Sequence, residues 1–292
     1  MPRAPEARPH ERTTRHRLGR RLRYLHRQTC LSPYWLDMVQ LHRAIAELAT
    51  AASGRLLDVG VGDRPYADLF APYVSRYVGV EYPPACENLS PGITHRVHAG
   101  LGIVDAWCDG HHLPFADGTF DTVLSLEVFE HVPDPDRMLA EMHRVLRPGG
   151  KLLVTVPFLS QQHALPYDFW RYTPQGLRAM LEQAGFTIER TAPRGNLAHV
   201  TGSHVAQWMM RALGSRELKP DGSFVMSRWR APLVMPFMAL AQLAFAAAGR
   251  WLPADTIATM GYAAVARRSA GAGPSAAAGA ADGAGRAGSA GG

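Results

Sequence analysis

The chain is poor in cysteine: Cys30, Cys86 and Cys108 are the three in 292 residues, far apart and without a C-x-x-C pair. That spacing excludes a disulfide framework and a zinc ribbon, and it suits a reducing cytoplasm. The start of the chain lacks the apolar run of a secretory signal peptide. Most of the chain also lacks net charge. Residues 1–28 hold nine arginines against two glutamates, a net +7, so the rest carries only −1 of an overall +6. The basic character belongs to an arm, suited to touching RNA, anionic lipid or nothing. Residues 1–31 and the Ala-, Gly- and Ser-rich residues 269–292 are expected to be disordered.

A third glycine is missing as well. The pattern G-x-G-x-x-G is met at Gly60 and Gly62 and broken at Pro65, which counts against NAD or FAD. What is present is an apolar run at 55–59 followed by two glycines and a helical spacing of Tyr66, Leu69, Phe70 and Tyr73. A strand, a tight turn and a helix in that order bring backbone close to a ligand. Strand patterns recur at 77–81, 103–108, 122–126, 151–158, 186–191 and 262–267. Helices are expected from Ser32-Pro33 to about Thr50, from Asp134-Pro135 to the stop at Pro148-Gly149-Gly150, from Thr173-Pro174 to Gly185, and over 198–213.

Alternating strands and amphipathic helices predict an α/β fold with a mainly parallel sheet and ligands outside the carboxyl ends of its strands. Asp58, Glu81, Asp109 and Glu127 all fall at such ends. Each alone could be an ordinary cap or loop carboxylate, whereas four together mark a ligand edge. Glu81 stands 19 residues beyond Gly62, where a carboxylate can accept hydrogen bonds from ribose hydroxyls. His111-His112 and His95-x-x-His98 have no acidic or cysteine partners at helpful spacing, so they read as solvated loop histidines and no metal is assigned.

Residues 231–249 are uncharged, with Pro232, Pro236 and Gln242 inside and Arg228, Arg230, Arg250 and Trp251 at the margins. The run reaches spanning length. It is nevertheless alanine-rich and lies between two strands of one sheet, which points to a core or lid helix or to membrane-surface contact through 231–251. A hydrophobic lid implies a lipophilic acceptor; lipids, lipid-linked sugars, quinones and polyketide-like products all remain open.

In order, Leu57-Asp58-Val59-Gly60-Val61-Gly62, Glu81, Asp109 with Leu113-Pro114-Phe115, Phe120-Asp121, Glu130-His131-Val132 and Leu146-Arg147-Pro148-Gly149-Gly150-Lys151 form a specific set. The chain resembles the class I S-adenosylmethionine-dependent methyltransferases of the small-molecule type over about residues 50–192, with a final strand at 262–267. The resemblance implies a Rossmann-like three-layer sandwich with a seven-stranded sheet in the order 3-2-1-4-5-7-6, the last strand antiparallel. The domain would run over 32–268, with a hydrophobic helical insert at about 196–258.

The resemblance further implies that Asp58 and the backbone of Gly60 and Gly62 hold the methionine part of S-adenosyl-L-methionine. Glu81 would bind the ribose, Asp109 with Gly110 the adenine, and the backbone at Leu126 and Glu127 the amino acid end. One departure is Asp63, where many members have glycine; Arg64 could offset its charge.

Methyl transfer from a sulfonium is an in-line displacement, so the protein aligns a nucleophile and excludes water. For a hydroxyl acceptor a general base helps, and the candidates are His131, His163, Tyr167 and Asp168. The aromatic segment 161–172 suits the floor of the acceptor pocket. No Asn- or Asp-Pro-Pro-Tyr follows the fourth strand, which sets nucleobase amino groups aside, and no Pro-Cys pair stands there for attack on pyrimidine carbon. O-methylation of a small or lipid-linked acceptor is the expectation. The rivals are a nicotinamide-dependent oxidoreductase and a non-catalytic or RNA-binding protein that uses the arginine arm.

Overall fold

The computed structural model describes residues 29–62, 64–82, 104–220, 222–254 and 256–269. The arm to residue 28, Asp63, Cys86, His95, His98, Ile103 and the tail from residue 270 lie outside the described residues.

Seven strands make the main sheet: β1 Gly54–Val59, β2 Val74–Glu81, β3 Ala106–Trp107, β4 Phe120–Leu126, β5 Leu146–Pro157, β6 Phe186–Pro193 and β9 Gly261–Arg268. Between β6 and β9 in the chain, β7 Ser215–Leu218 and β8 Phe224–Met226 form a separate hairpin. The main sheet runs β3-β2-β1-β4-β5-β9-β6. β1 pairs parallel with β2 and β4, β2 with β3 and β4 with β5, whereas β9 is antiparallel to both β5 and β6. This is the expected order with the last strand reversed.

The central strands are apolar on both faces, as strands covered by helices must be. Their alternation sorts the core into two halves. Leu57, Val123, Val154 and Ala264 face one layer, with α3 Pro135–Val145 and α4 Pro174–Gln183. Leu56, Leu124, Leu153 and Val265 face the other, with α1 Trp35–Ala49 and α2 Ala67–Phe70. Leu41, Ile45 and Leu48 recur at helical spacing on α1 and are buried; each contributes about 2 kcal/mol by leaving water. Asp134 and Thr173 cap α3 and α4 by accepting from the amides of Arg137 and Gly176, and a proline opens each helix.

Three elements depart from expectation. α2 is a single turn instead of a helix to Tyr73, because Pro72 cannot continue it and β2 starts at Val74. α3 ends at Val145, and the Pro148-Gly149-Gly150 stop falls inside β5, with Gly149 at φ +77°. β3 is reduced to two residues, leaving Asp109 just beyond it.

The insert is built from α5 Leu197–Met209, a π turn at Met210–Gly214, the β7–β8 hairpin and α6 Arg230–Gly249. Asn196 caps α5 and also donates to the Gly249 and Leu252 carbonyls, tying α5 to the end of α6. Phe245 of α6 lies where a side chain at Gly202 of α5 would have to go, so the two helices touch closely. The insert leaves and returns at one place: the Arg194 amide donates to Gly261 carbonyl at 2.8 Å.

Candidate functional site

The β1–α2 turn is closed by the end of β2. Val80 carbonyl accepts from the amides of Gly60 and Val61 at 3.0 and 3.1 Å, and Glu81 Oε2 accepts from Gly62 amide at 2.8 Å. Gly60 and Gly62 are both left-handed, at φ +81° and +51°. An added Cβ at Gly60 would strike Val128 at 2.5 Å, whereas one at Gly62 meets nothing within 4 Å. The turn is thus a concave backbone cradle packed on one side and open on the other, a shape that accepts an amino acid or ribose fragment.

Asp58 lies beneath this cradle, buried, and accepts from the Tyr77 hydroxyl. Burial pushes its carboxyl up from 3.8 to about 7, with the Tyr77 hydrogen bond opposing. Arg64 crosses to Asp105 and lies over the Tyr77 ring, 5.4 Å from its centroid, which fixes the turn's far side. Glu81 Oε1 also accepts from Tyr82 amide. Asp109 Oδ1 accepts from the His111 amide and meets its ring at 2.7 Å. Burial would raise the Asp109 carboxyl, but the two His111 bonds prevail and hold it below the usual range. Met138 sulfur packs against Gly110, where an added Cβ would lie 2.9 Å from it and make the methionine shift.

Beyond Leu126 the chain turns sharply at Glu127, a non-glycine residue at φ +53°. Left-handed backbone at such a residue costs about 1–2 kcal/mol, and strain of this kind clusters at functional sites. Val128 then abuts Gly60, and the short 3-10 helix Phe129–His131 carries two titratable groups away from the cradle. Glu130 is wholly buried, and neither carboxylate oxygen has a partner from another residue. Burial first, and Glu127 second, push its carboxyl well up.

His131 Nδ1 lies 2.6 Å from Tyr167 carbonyl, so Nδ1 carries the proton and Nε2 presents a lone pair, 3.7 Å from Glu130 Oε1. Burial holds this imidazole below its usual value, against that hydrogen bond. His163 Nε2 stands 4.0 Å from the same Glu130 oxygen, and the two imidazoles meet edge to face at 4.8 Å.

Asp168 is enclosed and fully engaged. Its two oxygens accept from Arg171 at 2.6 and 2.7 Å, and Oδ2 also accepts from the His163 amide. Burial raises its carboxyl, but the Arg171 fork and the His163 amide outweigh it and hold it below the usual range. Tyr167 contributes its carbonyl, and its ring packs edge-on against Phe169.

Of the sequence-derived residues, the structure gathers Gly60, Gly62, Glu81 and Asp58 around the cradle and His131, His163, Tyr167 and Asp168 around one polar centre. Two members of that centre escaped the sequence reading. Arg194, 2% exposed, donates to Glu127 Oε2 at 3.1 Å, and Asp37 of α1 has its Oδ1 enclosed. Among the described residues, six of the twelve buried side-chain atoms without a hydrogen-bond partner belong to Asp37, Glu127, Glu130 and Arg194. Such groups are costly unless a ligand completes them. Glu130 was visible in the sequence as the acid beside His131, whereas Asp37 and Arg194 look there like an ordinary helix acid and a strand-end cation.

The hairpin roofs this centre. Gly222 at its tip lies against Gln162 carbonyl and His163, Phe224 stacks on Tyr34, and Phe224 with Met235 borders the cluster of Met210, Ala231 and Met238 that seats α6.

The sequence pattern described as a methyltransferase domain matches residues 34–191. A methyltransferase of Mycobacterium sp. (strain JLS), described as uncharacterized, is 46% identical over 106 residues, 36% of this chain and 40% of that protein. A Mycolicibacterium smegmatis protein described as a probable S-adenosylmethionine-dependent methyltransferase is 31% identical over 171 residues, 54% of this chain and 61% of its own length. The match therefore spans between two fifths and three fifths of these two relatives. Among solved structures, Burkholderia thailandensis 1,6-didemethyltoxoflavin-N1-methyltransferase, with bound 1,6-didemethyltoxoflavin and S-adenosylhomocysteine, aligns at TM-score 0.46 and 17% identity over 92% of this chain and 93% of that one. The matched family lends no support to the oxidoreductase or RNA-binding readings. With more than half of its length matched by the domain pattern, and that pattern falling on the sheet and its glycine cradle, the chain belongs to the class I S-adenosylmethionine-dependent methyltransferases.

Proposed function

We propose that the chain methylates an oxygen of a lipophilic or lipid-linked acceptor at a cytoplasmic membrane surface. S-adenosylmethionine supplies a methyl group on a positively charged sulfur. The open cradle at Gly62 leaves room for its amino acid end, and Glu81 beside the cradle and Asp109 beyond β3 are the carboxylates assigned to ribose and adenine. Tyr167 carbonyl orients the His131 imidazole, and Asp168, paired with Arg171, anchors the backbone at His163, whose ring stays 48% exposed. His131 Nε2 is placed to receive the hydroxyl proton, and Asp168, locked to Arg171, acts as a brace.

The observation that carries the acceptor class is the outer face of α6. Leu233, Phe237, Leu240 and Leu243 recur at helical spacing and are 48–71% exposed, with Trp229 and Trp251 at the ends 74% and 87% exposed. Mean hydropathy of the helix reaches 1.7 while only 22% of it is buried. Residues 196–258 carry six basic side chains against three acidic ones, and Arg228, Arg230 and Arg250 flank the apolar stripe. An apolar face with aromatic ends and basic margins matches an anionic bilayer interface. The insert's ends join at Arg194 and Gly261, which supports lying on the membrane over spanning it.

The test is methyl transfer from radiolabelled S-adenosylmethionine to a lipid extract and, separately, to an aqueous small-molecule extract. Base-stable label in the lipid fraction is expected. Label confined to the aqueous fraction would remove the lipophilic acceptor, and failure of S-adenosylhomocysteine to bind in calorimetry would remove methyl transfer itself.

A further inference from the structure

We propose that Glu130, His131 and His163 together bind one redox-inert divalent metal ion of the zinc class, on the acceptor side of the cradle. Each residue offers one ligand atom, and these atoms all lie within 4.8 Å of one another. With Glu130 Oε1 at 3.7 Å from His131 Nε2 and 4.0 Å from His163 Nε2, a point about 2.5 Å from all three exists, so small side-chain rotations reach ordinary metal–ligand lengths.

The surroundings fit a cation and little else. Glu130 is wholly buried with both oxygens unpartnered, a costly arrangement that a metal would complete. Both imidazoles have outer partners of the kind metal-bound histidines use. Tyr167 carbonyl accepts from His131 Nδ1, and His163 Nδ1 stands 3.4 Å from Gln161 carbonyl and 3.7 Å from Asp168 Oδ2. The nearby cations are already engaged: Arg194 donates to Glu127 and Arg171 forks onto Asp168. Two imidazoles and a carboxylate are a donor set for zinc and its neighbours, and leave positions open for a further oxygen. His163, 48% exposed, faces the open side.

This inference rests on the acceptor-side placement of the centre argued above. A hydroxyl approaching the cation loses its proton to solvent more readily. Its oxygen then forms the new bond to the methyl carbon as the carbon–sulfur bond breaks, giving the methyl ether and the neutral thioether. The metal would take over the proton-loosening role otherwise given to His131.

The test uses the full chain, stripped with chelator and titrated with Co²⁺ alone. One equivalent should bind with visible d–d absorption. His163→Ala and Glu130→Gln should weaken it by about 100-fold or more, and Asp168→Asn, which removes only an outer partner, by about 10-fold. His112→Ala should leave binding unchanged. S-adenosylhomocysteine titration runs in parallel: cofactor binding retained in His163→Ala shows that the fold survives. Cobalt bound equally by wild type and His163→Ala, or no stoichiometric cobalt while S-adenosylhomocysteine still binds, overturns the metal site and leaves the methyltransferase reading standing. Loss of S-adenosylhomocysteine binding in the wild type with cobalt retained does the reverse.

Discussion

The two cradle glycines should fail differently when replaced by alanine. Both occupy left-handed backbone, which costs an L side chain about 1–2 kcal/mol. At Gly62 nothing stands within 4 Å of the new methyl, so that is the whole folding cost. At Gly60 the methyl would meet Val128 Cγ2 at 2.5 Å and Cγ1 at 3.2 Å, and overpacking of this kind adds about 1–3 kcal/mol. With about 2–4 °C of Tm per kcal/mol for a chain of this size, Gly62→Ala should lower Tm by about 2–8 °C and Gly60→Ala by about 4–20 °C. Cofactor affinity should show the opposite order relative to stability, because the proposed cofactor placement puts the methionine moiety in the empty space beside Gly62. Val128→Ala should recover part of the Gly60→Ala loss and none of the Gly62→Ala loss. Thermal unfolding by circular dichroism and S-adenosylhomocysteine calorimetry on the four proteins measure this. Equal Tm losses with no relief from Val128→Ala would refute the contact on which the cradle is built.

Other expectations concern charge and surface. The Asp58 carboxyl is held up to about 7 while the unfolded chain ionises near 3.8, so the native state binds the extra proton between them. The stability this lends is complete below about pH 4 and is lost as pH rises through 7, by about 4 kcal/mol at most. Asp58→Asn should flatten that decline in urea titrations between pH 5 and pH 8, and an unchanged slope would contradict it. Arg194→Met leaves Asp37 and Glu127 without their cation and should cost about 3–5 kcal/mol; adding Glu127→Gln should return part of it. Leu233→Glu with Phe237→Glu should abolish sedimentation with phosphatidylglycerol vesicles while leaving Tm within about 2 °C, since both side chains are mostly exposed. Asp63→Gly should keep or tighten S-adenosylhomocysteine binding in calorimetry, and a large loss would reveal a role for that carboxylate.

The strands were legible because each is a short apolar run with its own stop, and the ligand edge because the acids at Asp58, Glu81, Asp109 and Glu127 mark it; the strand order came from the family resemblance and matches the sheet. Helix lengths were less so. Pro72 cut α2 to one turn although the apolar spacing continued to Tyr73, a case where a missing amide donor beats periodicity. The β7–β8 hairpin was not foreseen: it has few apolar residues and takes its place from contacts with the His163 loop and α6. At the site, cradle residues were legible because backbone geometry demands glycine. The polar centre was only half legible, since α3 and β5 separate His131 from His163 in the chain, and Arg194 and Asp37 arrive from elements farther apart still. No spacing rule spans such distances.

The shared doorway of the insert has a consequence for how this protein can change. β6 ends and β9 begins at the same rim of the sheet, where the antiparallel ladder is continued by Arg194 amide donating to Gly261 carbonyl and Met260 amide donating to Arg194 carbonyl. The segment between them leaves and returns at one place and is further seated on the start of the chain, where Gln242 donates to the Cys30 and Ser32 carbonyls and Phe224 stacks on Tyr34. On the function proposed above, exchanging it would change the roof over the acceptor and the face offered to the membrane while the strands that build the cradle keep their register. A chimera that joins another member's insert at residues 195 and 260, with the α1 contacts kept, is then expected to change acceptor while still binding S-adenosylhomocysteine.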